Sequence, residues 1–219
     1  MSRRYAKRMF DLTVALPLFV ASLPVQVVVA ALVALRLGRP VLFHQRRPGL
    51  HGGPFIMHKF RTMLPVDPER NLVDDASRMT DLGRFLRATS LDELPTLWNV
   101  IRGDMSLVGP RPLLMQYLPL YTAEQARRHE VRPGLTGLAQ VSGRNALSWE
   151  EKFRLDVHYV DCNSFWLDIR ILLATAATVV RRNGINAPNA ETMPEFLGPS
   201  ARLKSHAVSA ASTRKDNPT

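Results

Sequence analysis

The longest uncharged segment of the chain, residues 12–35, is apolar and is interrupted by Pro17 and Pro24. As a straight α-helix it would extend roughly 36 Å, compared with roughly 30 Å for the hydrocarbon core of a bilayer. An interior proline removes a backbone hydrogen bond and clashes with the preceding turn, so Pro24 favours a bend. Basic residues flank both ends, which places both ends on the cytoplasmic side. The pattern predicts a re-entrant membrane helix within an anchor over residues 1–38. The flanking basic residues are Arg3, Arg4, Lys7 and Arg8 before the segment and Arg36, Arg39, Arg46 and Arg47 after it.

Two other interpretations of this segment stay open. A secretory signal peptide has a shorter apolar region and a small-residue cleavage site, which the sequence AAL at 30–32 resembles, although the long run and the basic exit argue against it. A single membrane-spanning helix, kinked at Pro24, would place the N-terminus and the rest of the chain on opposite sides of the bilayer.

Residues 39–198 have the length of one folded domain, and their pattern is mostly helical. Residues 40–63 contain two strand-like runs separated by the turn sequence PGLHGG, which predicts a β-hairpin. Helical periodicity over residues 82–101 is broken at SLDELP, and residues 122–130 are typical of a short charged helix. The segments GDMSLVGPRP and RPGLTG are rich in glycine and proline and are expected to be loops and turns. The predicted fold is an irregular, mostly helical α/β domain with a small β-hairpin.

Two further helices are predicted near the C-terminus. The first covers residues 148–160 and opens with a capping box formed by Ser148 and Glu151. The second covers residues 164–182 and is capped by Gly184. Its apolar face either packs in the core or lies in a membrane interface. Residues 199–219 are polar and poor in apolar residues, so we expect a disordered tail. The apolar face consists of Phe165, Ile169, Leu172, Ala176 and Val179.

The formal net charge of +10 favours an anionic partner, either nucleic acid, anionic lipid headgroups or a phosphorylated substrate. The basic loops lack the interleaved aromatic residues typical of single-stranded nucleic-acid binding, so we expect no nucleic-acid partner. The only cysteine, Cys162, excludes an internal disulfide and a cysteine-rich metal site. We expect it to be a small, partly buried residue.

The adjacent carboxylates Asp92 and Glu93 are the sharpest candidate for chemistry. Adjacent carboxylates cannot flank a glycosidic bond as a glycosidase requires. They can share a divalent cation, and a carboxylate can attack phosphorus. The alternative is structural, with Ser90 capping a helix and Glu93 closing the capping box, although Pro95 would then occupy an unfavourable helical position.

Basic residues surround this pair in loops stiffened by glycine and proline. Guanidinium groups bind phosphate oxygens in pairs, so such a set suits a diphosphate. These residues are Lys59, Arg61, Arg87, Arg111, Arg132 and Arg144.

Many motifs occur in an order that resembles the bacterial sugar transferase family, the small monotopic phosphoglycosyl transferases, over roughly residues 5–185. They are KRMFDL, QRRPGL, KFRTM, SLDELPTLWNV, GDMSLVGPRPLL, YLPLY, VRPGLTGLAQVSGRN and FRLDVHYV. One departure is that the family often has Ser-Pro at the bend of the membrane helix, whereas Leu23 precedes Pro24 here and the serine is Ser22.

The resemblance implies transfer of a sugar 1-phosphate from a UDP-sugar to undecaprenyl phosphate, with Mg²⁺, at the cytoplasmic face of the inner membrane. Asp92 would be the nucleophile that forms a covalent phosphosugar intermediate, and Glu93 its partner in metal binding or proton handling. The substrate phosphates would be held by Lys59, Arg111 and Arg144. The sugar, the glycan pathway and the choice between monomer and homodimer stay open.

Two rival functions stay open beside this one. The first is a non-catalytic, membrane-anchored basic module that binds anionic lipid or nucleic acid and gives the carboxylate pair no role. The second is one-step transfer without a covalent intermediate.

Overall fold

The computed structural model describes residues 3–143, 146–181 and 195–198. Arg144, Gly184 and the tail predicted over residues 199–219 lie outside these ranges. The helices are α1 (Arg3–Arg36), α2 (Asp75–Arg78), α3 (Asp81–Ala88), α4 (Thr96–Arg102), α5 (Ala123–Ala126), α6 (Leu138–Ser142), α7 (Trp149–Cys162) and α8 (Phe165–Arg181). The strands are β1 (Leu42–Pro48), β2 (Pro54–Phe60), β3 (Ser106–Val108) and β4 (Gly134–Thr136). The described chain is therefore mostly helical, as predicted.

The apolar segment forms the middle of α1, a helix of 34 residues that contains both prolines. Its mean hydropathy over the most apolar stretch is 2.5, and 11% of that stretch is buried within the protein. By length and composition this helix can enter a membrane. The Ser22 hydroxyl donates to the Phe19 carbonyl at 2.8 Å, one turn back along the helix.

The N-terminal part of α1 is fixed to the rest of the protein by polar contacts. The Arg8 guanidinium donates to the carbonyls of Val100 at 2.5 Å and Ile101 at 2.6 Å, near the end of α4. The buried Asp11 carboxylate accepts from the Leu107 amide at 3.2 Å, and Lys7 lies 2.7 Å from the Asp168 carboxylate of α8. This end of α1 is therefore tied to α4, β3 and α8.

The C-terminal end of α1 is tied to the same globular region, which comprises residues 42–143 and 146–181. Val33 and Leu37 pack with Phe60 and Leu86 in one buried apolar cluster. The Arg61 guanidinium donates to the Leu37 carbonyl at 2.5 Å and also to the Gly38 carbonyl. Both ends of α1 therefore contact one folded body.

The predicted hairpin is confirmed, and α4 closes its open edge. Strands β1 and β2 pair antiparallel, with Phe43 opposite Lys59. On the other edge of β2, the fully buried Asn99 side chain accepts from the His58 amide at 3.1 Å and donates to the Ile56 carbonyl at 2.7 Å. The Thr96 hydroxyl donates to the His58 carbonyl at 2.8 Å. Side chains of α4 thus satisfy backbone groups that a third strand would otherwise pair.

The expectation of loops and turns at GDMSLVGPRP and RPGLTG is wrong for their central residues. Residues Ser106–Val108 and Gly134–Thr136 form the parallel pair β3 and β4. Gly109 and Gly134 lie so close that a Cβ on Gly134 would lie 2.1 Å from the Gly109 nitrogen. These glycines permit a close approach of two backbones rather than a turn.

The predicted capping box of α7 is confirmed, with the Ser148 hydroxyl and the Glu151 side chain bonding each other's backbone amides. In α8, Asp168 and Ile171 are buried and Leu167 and Leu172 pack against the core, whereas Phe165 of the predicted apolar face is exposed, as is Trp166. The expectation for Cys162 is wrong, because it is exposed at the end of α7.

We predict that Asn99→Ala destabilises the fold. The substitution leaves the Ile56 carbonyl and the His58 amide unpaired, and each unpaired group costs about 1–3 kcal/mol. The expected loss is therefore about 2–4 kcal/mol in the free energy of unfolding, measured by denaturation in detergent. Arg102→Ala is the control, because it removes a largely exposed side chain from the same helix. Equal stability of the two variants would contradict this account of the β2 edge.

Candidate active site

The two adjacent carboxylates lie on a single 3₁₀ turn, Leu91–Glu93, between α3 and α4. Ser90 precedes the turn in the left-handed conformation (φ 57°) and makes no capping hydrogen bond. The capping box between Ser90 and Glu93 is therefore absent. Helix α4 begins only after Pro95, where the missing amide hydrogen costs little. The Glu93 side chain is therefore not used as a cap and can contact Lys59 of the hairpin.

Glu93 is held between two cations. Its Oε1 atom lies 2.5 Å from Lys59 Nζ and 2.9 Å from Arg111 Nη2. Burial opposes ionisation of Glu93, but Lys59 and Arg111 outweigh it and hold the pKa of the carboxyl well below its usual range. Burial also lowers the pKa of Lys59. Glu93 is therefore a permanent anion at neutral pH.

Asp92 has the opposite surroundings. It is 8% exposed, and within the described ranges its carboxylate makes neither an ion pair nor a hydrogen bond. Burial, and then the charge of Glu93, raises its pKa to about 6. At neutral pH Asp92 is thus ionised but poorly solvated, the state in which a carboxylate is most nucleophilic.

A buried ion pair fixes the position of the Arg111 backbone. The Arg128 side chain, 1% exposed, lies 2.7 Å from the Asp156 carboxylate of α7. The same guanidinium donates to the Arg111 carbonyl at 2.8 Å. Neither Arg128 nor Asp156 is predicted from the sequence as a functional residue, because only the fold brings them together. Breaking such a pair would leave an uncompensated buried charge, which is costly. The pair therefore stays formed and holds the loop that carries Arg111 in one place.

A cavity of about 70 Å³ opens beside Glu93. Its charged lining consists of Glu93 and three cations, Lys59, Arg111 and Arg47. The sequence predicted Arg47 only as a basic flank of the apolar segment and not as a site residue. The structure therefore brings the predicted residues Lys59, Glu93 and Arg111 together at the cavity, and Asp92 lies next to Glu93 on the 3₁₀ turn but does not line the cavity. Two other predicted basic residues serve elsewhere: Arg61 holds the end of α1, and Arg132 donates to the Gly103 carbonyl at 2.8 Å.

The donor set suits Mg²⁺ only as a partner of substrate phosphates. Within the described ranges, no three histidine, cysteine, aspartate or glutamate side chains form a metal cluster. Mg²⁺ is commonly bound by one or two carboxylates, with phosphates and waters completing the octahedron. Asp92 has both oxygens available, whereas Glu93 Oε1 is occupied by two cations. The assignment of both carboxylates as metal ligands stays a prediction.

The model of the family described as bacterial sugar transferase matches residues 2–182. This chain belongs to the bacterial sugar transferase family. The resemblance drawn from the sequence motifs is thus confirmed, and the chain is a transferase.

Relatives of this transferase differ in length. The uncharacterized sugar transferase EpsL of Bacillus subtilis is 55% identical over 193 residues, which cover 88% of this chain and 96% of EpsL. The undecaprenyl-phosphate galactose phosphotransferase of Salmonella typhimurium is 38% identical over 201 residues, or 84% of this chain and 42% of that protein. The UDP-glucose:undecaprenyl-phosphate glucose-1-phosphate transferase of Caulobacter vibrioides is 42% identical over 187 residues, or 80% of this chain and 69% of that protein. The chain thus spans less than half of the Salmonella protein.

We predict that Asp92→Asn stabilises this transferase at pH 8. A carboxyl group whose pKa rises from 3.8 to about 6 on folding costs stability wherever it is ionised, here roughly 2–3 kcal/mol. The gain should shrink as the pH falls through 6 and vanish below about pH 4, where Asp92 is protonated in both the folded and the unfolded state. Denaturation in detergent at several pH values measures it.

The exposed Glu69 provides the matched control. Glu69→Gln should leave the free energy of unfolding within about 0.5 kcal/mol of the wild-type value. A destabilised Asp92→Asn protein at pH 8 would show that the Asp92 carboxylate stabilises the fold and is not strained by burial.

Proposed function

We propose that this protein transfers a sugar 1-phosphate from a UDP-sugar to undecaprenyl phosphate, through a covalent intermediate on Asp92, in the first membrane step of glycan assembly. The observation that carries the proposal is the contrast between the two carboxylates. Asp92 is buried and forms no ion pair with any described residue, and Glu93 next to it is paired with Lys59 and Arg111. The names of the Salmonella and Caulobacter relatives support the substrates.

The reaction divides into two displacements at one phosphorus atom. An Asp92 oxygen attacks the sugar-linked phosphorus and forms an acyl phosphate, while the bond from that phosphorus to the bridging oxygen breaks and UMP leaves with the electron pair. A phosphate oxygen of undecaprenyl phosphate then attacks the same phosphorus, and the Asp92 oxygen leaves as a carboxylate. The pKa of about 6 leaves Asp92 ionised at neutral pH for the first step.

Lys59 and Arg111 stabilise the phosphate oxygens during both displacements. Both side chains line the cavity. Their contacts with Glu93 keep the ammonium group of Lys59 and the guanidinium group of Arg111 in place. Arg144, outside the described residues, is proposed as a third phosphate ligand. Mg²⁺, held by Asp92, Glu93 and the diphosphate, would neutralise further negative charge on the substrate.

We also propose that α1 is a re-entrant helix that holds the site at the cytoplasmic face of the inner membrane. Both ends of α1 contact the same globular region, whereas Val20, Leu23 and Val27 between them are exposed. A spanning helix would carry Arg8 and Asp11 across the bilayer and break their contacts with α4 and β3. Carrying the basic N-terminus across also opposes the positive-inside bias.

We predict a phosphosugar adduct on Asp92. Incubation with the UDP-sugar alone should add the mass of one sugar phosphate to the intact protein, and peptide mapping should place it on Asp92. Asp92→Asn should lose essentially all turnover and the adduct, and Glu93→Gln should be strongly impaired with altered Mg²⁺ dependence. Adduct formation should slow as the pH falls through about 6, because Asp92 becomes protonated.

The control for this experiment is membrane binding. If Asp92→Asn stays membrane-bound but is inactive, the Asp92 carboxylate has a catalytic role. The rival function, a non-catalytic basic module, gives this carboxylate no role. Normal turnover without an adduct under any quench would favour one-step transfer and exclude the covalent mechanism.

We predict that both ends of α1 are cytoplasmic. In a Cys162→Ser background, Ser2→Cys and Arg39→Cys should resist a membrane-impermeant maleimide in spheroplasts and react after lysis. Wild-type protein provides the reference, because the exposed Cys162 reports the side on which the globular region lies. Labelling of Ser2→Cys in intact spheroplasts would end the re-entrant model.

A further inference from the structure

The cavity beside Glu93 contains one cation that the reaction described above does not use. Arg47 lies on β1 and lines the cavity together with Lys59 and Arg111. It is partly buried, whereas its neighbour Arg46 is exposed, because adjacent residues of a strand face opposite sides. The fold therefore separates two arginines that are indistinguishable in the sequence QRRPGL.

Arg47 contacts only neutral groups. Its Nη2 atom donates to Gln45 Oε1 at 2.6 Å, and its Nη1 atom to the Pro112 carbonyl at 3.4 Å. Its Nε atom is buried without a hydrogen-bond partner, and within the described ranges no carboxylate pairs with its guanidinium. Burial, and then the charge of Arg111, lowers its pKa to about 10, so it stays charged at neutral pH.

The charges of the cavity do not balance. Glu93 is shared by Lys59 and Arg111 and faces both through one oxygen. Arg47 thus adds a positive charge that no protein carboxylate in the described ranges compensates. Burying such a charge is costly unless an anion pairs with it. The Arg111 side chain is 48% exposed, so its movement can widen the cavity for a larger anion.

We propose that Arg47 binds a phosphate group of the nucleotide donor in this cavity, as an additional cation beside Lys59 and Arg111. The inference rests on the proposed function and assigns it one more binding residue. The Nη1 atom of Arg47 is only weakly engaged, at 3.4 Å from the Pro112 carbonyl, so it can donate to a phosphate oxygen while the positive charge of the guanidinium pairs with the anion. The donor enters while Asp92 is still free, and its diphosphate supplies the anion that the cavity lacks.

The test measures UDP binding by the purified full-length protein with Mg²⁺, using calorimetry. Arg47→Met should weaken UDP binding by about 10- to 100-fold, as expected for a charge-assisted contact. Arg46→Met removes the same charge from the same strand and should stay within about twofold of wild type. Arg111→Met provides a positive comparison. Equal UDP affinity of Arg47→Met and Arg46→Met would overturn the proposal.

Two further measurements complete the test. One distinguishes a binding defect from a folding defect, and the other distinguishes the donor from the acceptor as the ligand of Arg47. The thermal midpoint without UDP checks folding. If Arg47→Met is unfolded, Arg47→Lys, which keeps the charge but loses the planar guanidinium, is judged by the same criterion. The kcat/KM for undecaprenyl phosphate tests the lipid phosphate as the ligand, and a loss confined to this acceptor would overturn the assignment to the donor. A wild-type protein that neither binds UDP nor uses any UDP-sugar would refute the proposed function itself. If wild-type turnover is normal, the affinities of the variants test the role of Arg47 alone.

Discussion

The contact of Glu93 with Lys59 and Arg111 is the interaction on which the site depends. It places two cations on one carboxylate, whereas the neighbouring Asp92 forms no ion pair within the part of the chain that the structure describes. The 3₁₀ turn makes this possible, since it directs two adjacent side chains into different surroundings. Environments that push the pKa values of two carboxylates apart also assign them different roles. Here Glu93, the stable anion, positions the two cations. Asp92, whose ionised form is disfavoured by burial, is available for chemistry.

The cations are held in place by buried polar contacts more than by apolar packing. Lys59 follows the segment of β2 whose backbone is bonded by Thr96 and Asn99, and the carbonyl of Arg111 is bonded by Arg128. Hydrogen bonds are directional, and a buried polar group that loses its partner is costly. Such contacts therefore fix the direction of a side chain more tightly than apolar contacts do. This precision suits the proposed reaction, in which a phosphorus atom is held in line with Asp92.

The sequence predicted those features that local chemistry determines. A glycine-rich turn between strand-like runs indicated the hairpin, and Ser148 with Glu151 indicated the start of α7, because both signals lie within a few residues. The pairing of β3 with β4 could not be predicted, since each strand has three residues and its glycines resemble turn residues. The roles of Arg47 and Arg128 also depend on distant partners. Charge alone cannot distinguish Arg47 from Arg46; only the register of β1 does.

Helix α1 and the candidate active site are linked through α4. This helix begins just after Glu93 at Thr96 and bonds the edge of β2 that carries Lys59. Its other end accepts hydrogen bonds from Arg8 of α1, and its Trp98 ring lies 6.0 Å from Phe19. A short helix bonded at both ends transmits a displacement instead of absorbing it. In the proposed function, the depth of α1 in the bilayer would therefore set the height of Asp92 above the lipid surface, which is the distance that the lipid-linked phosphate has to bridge.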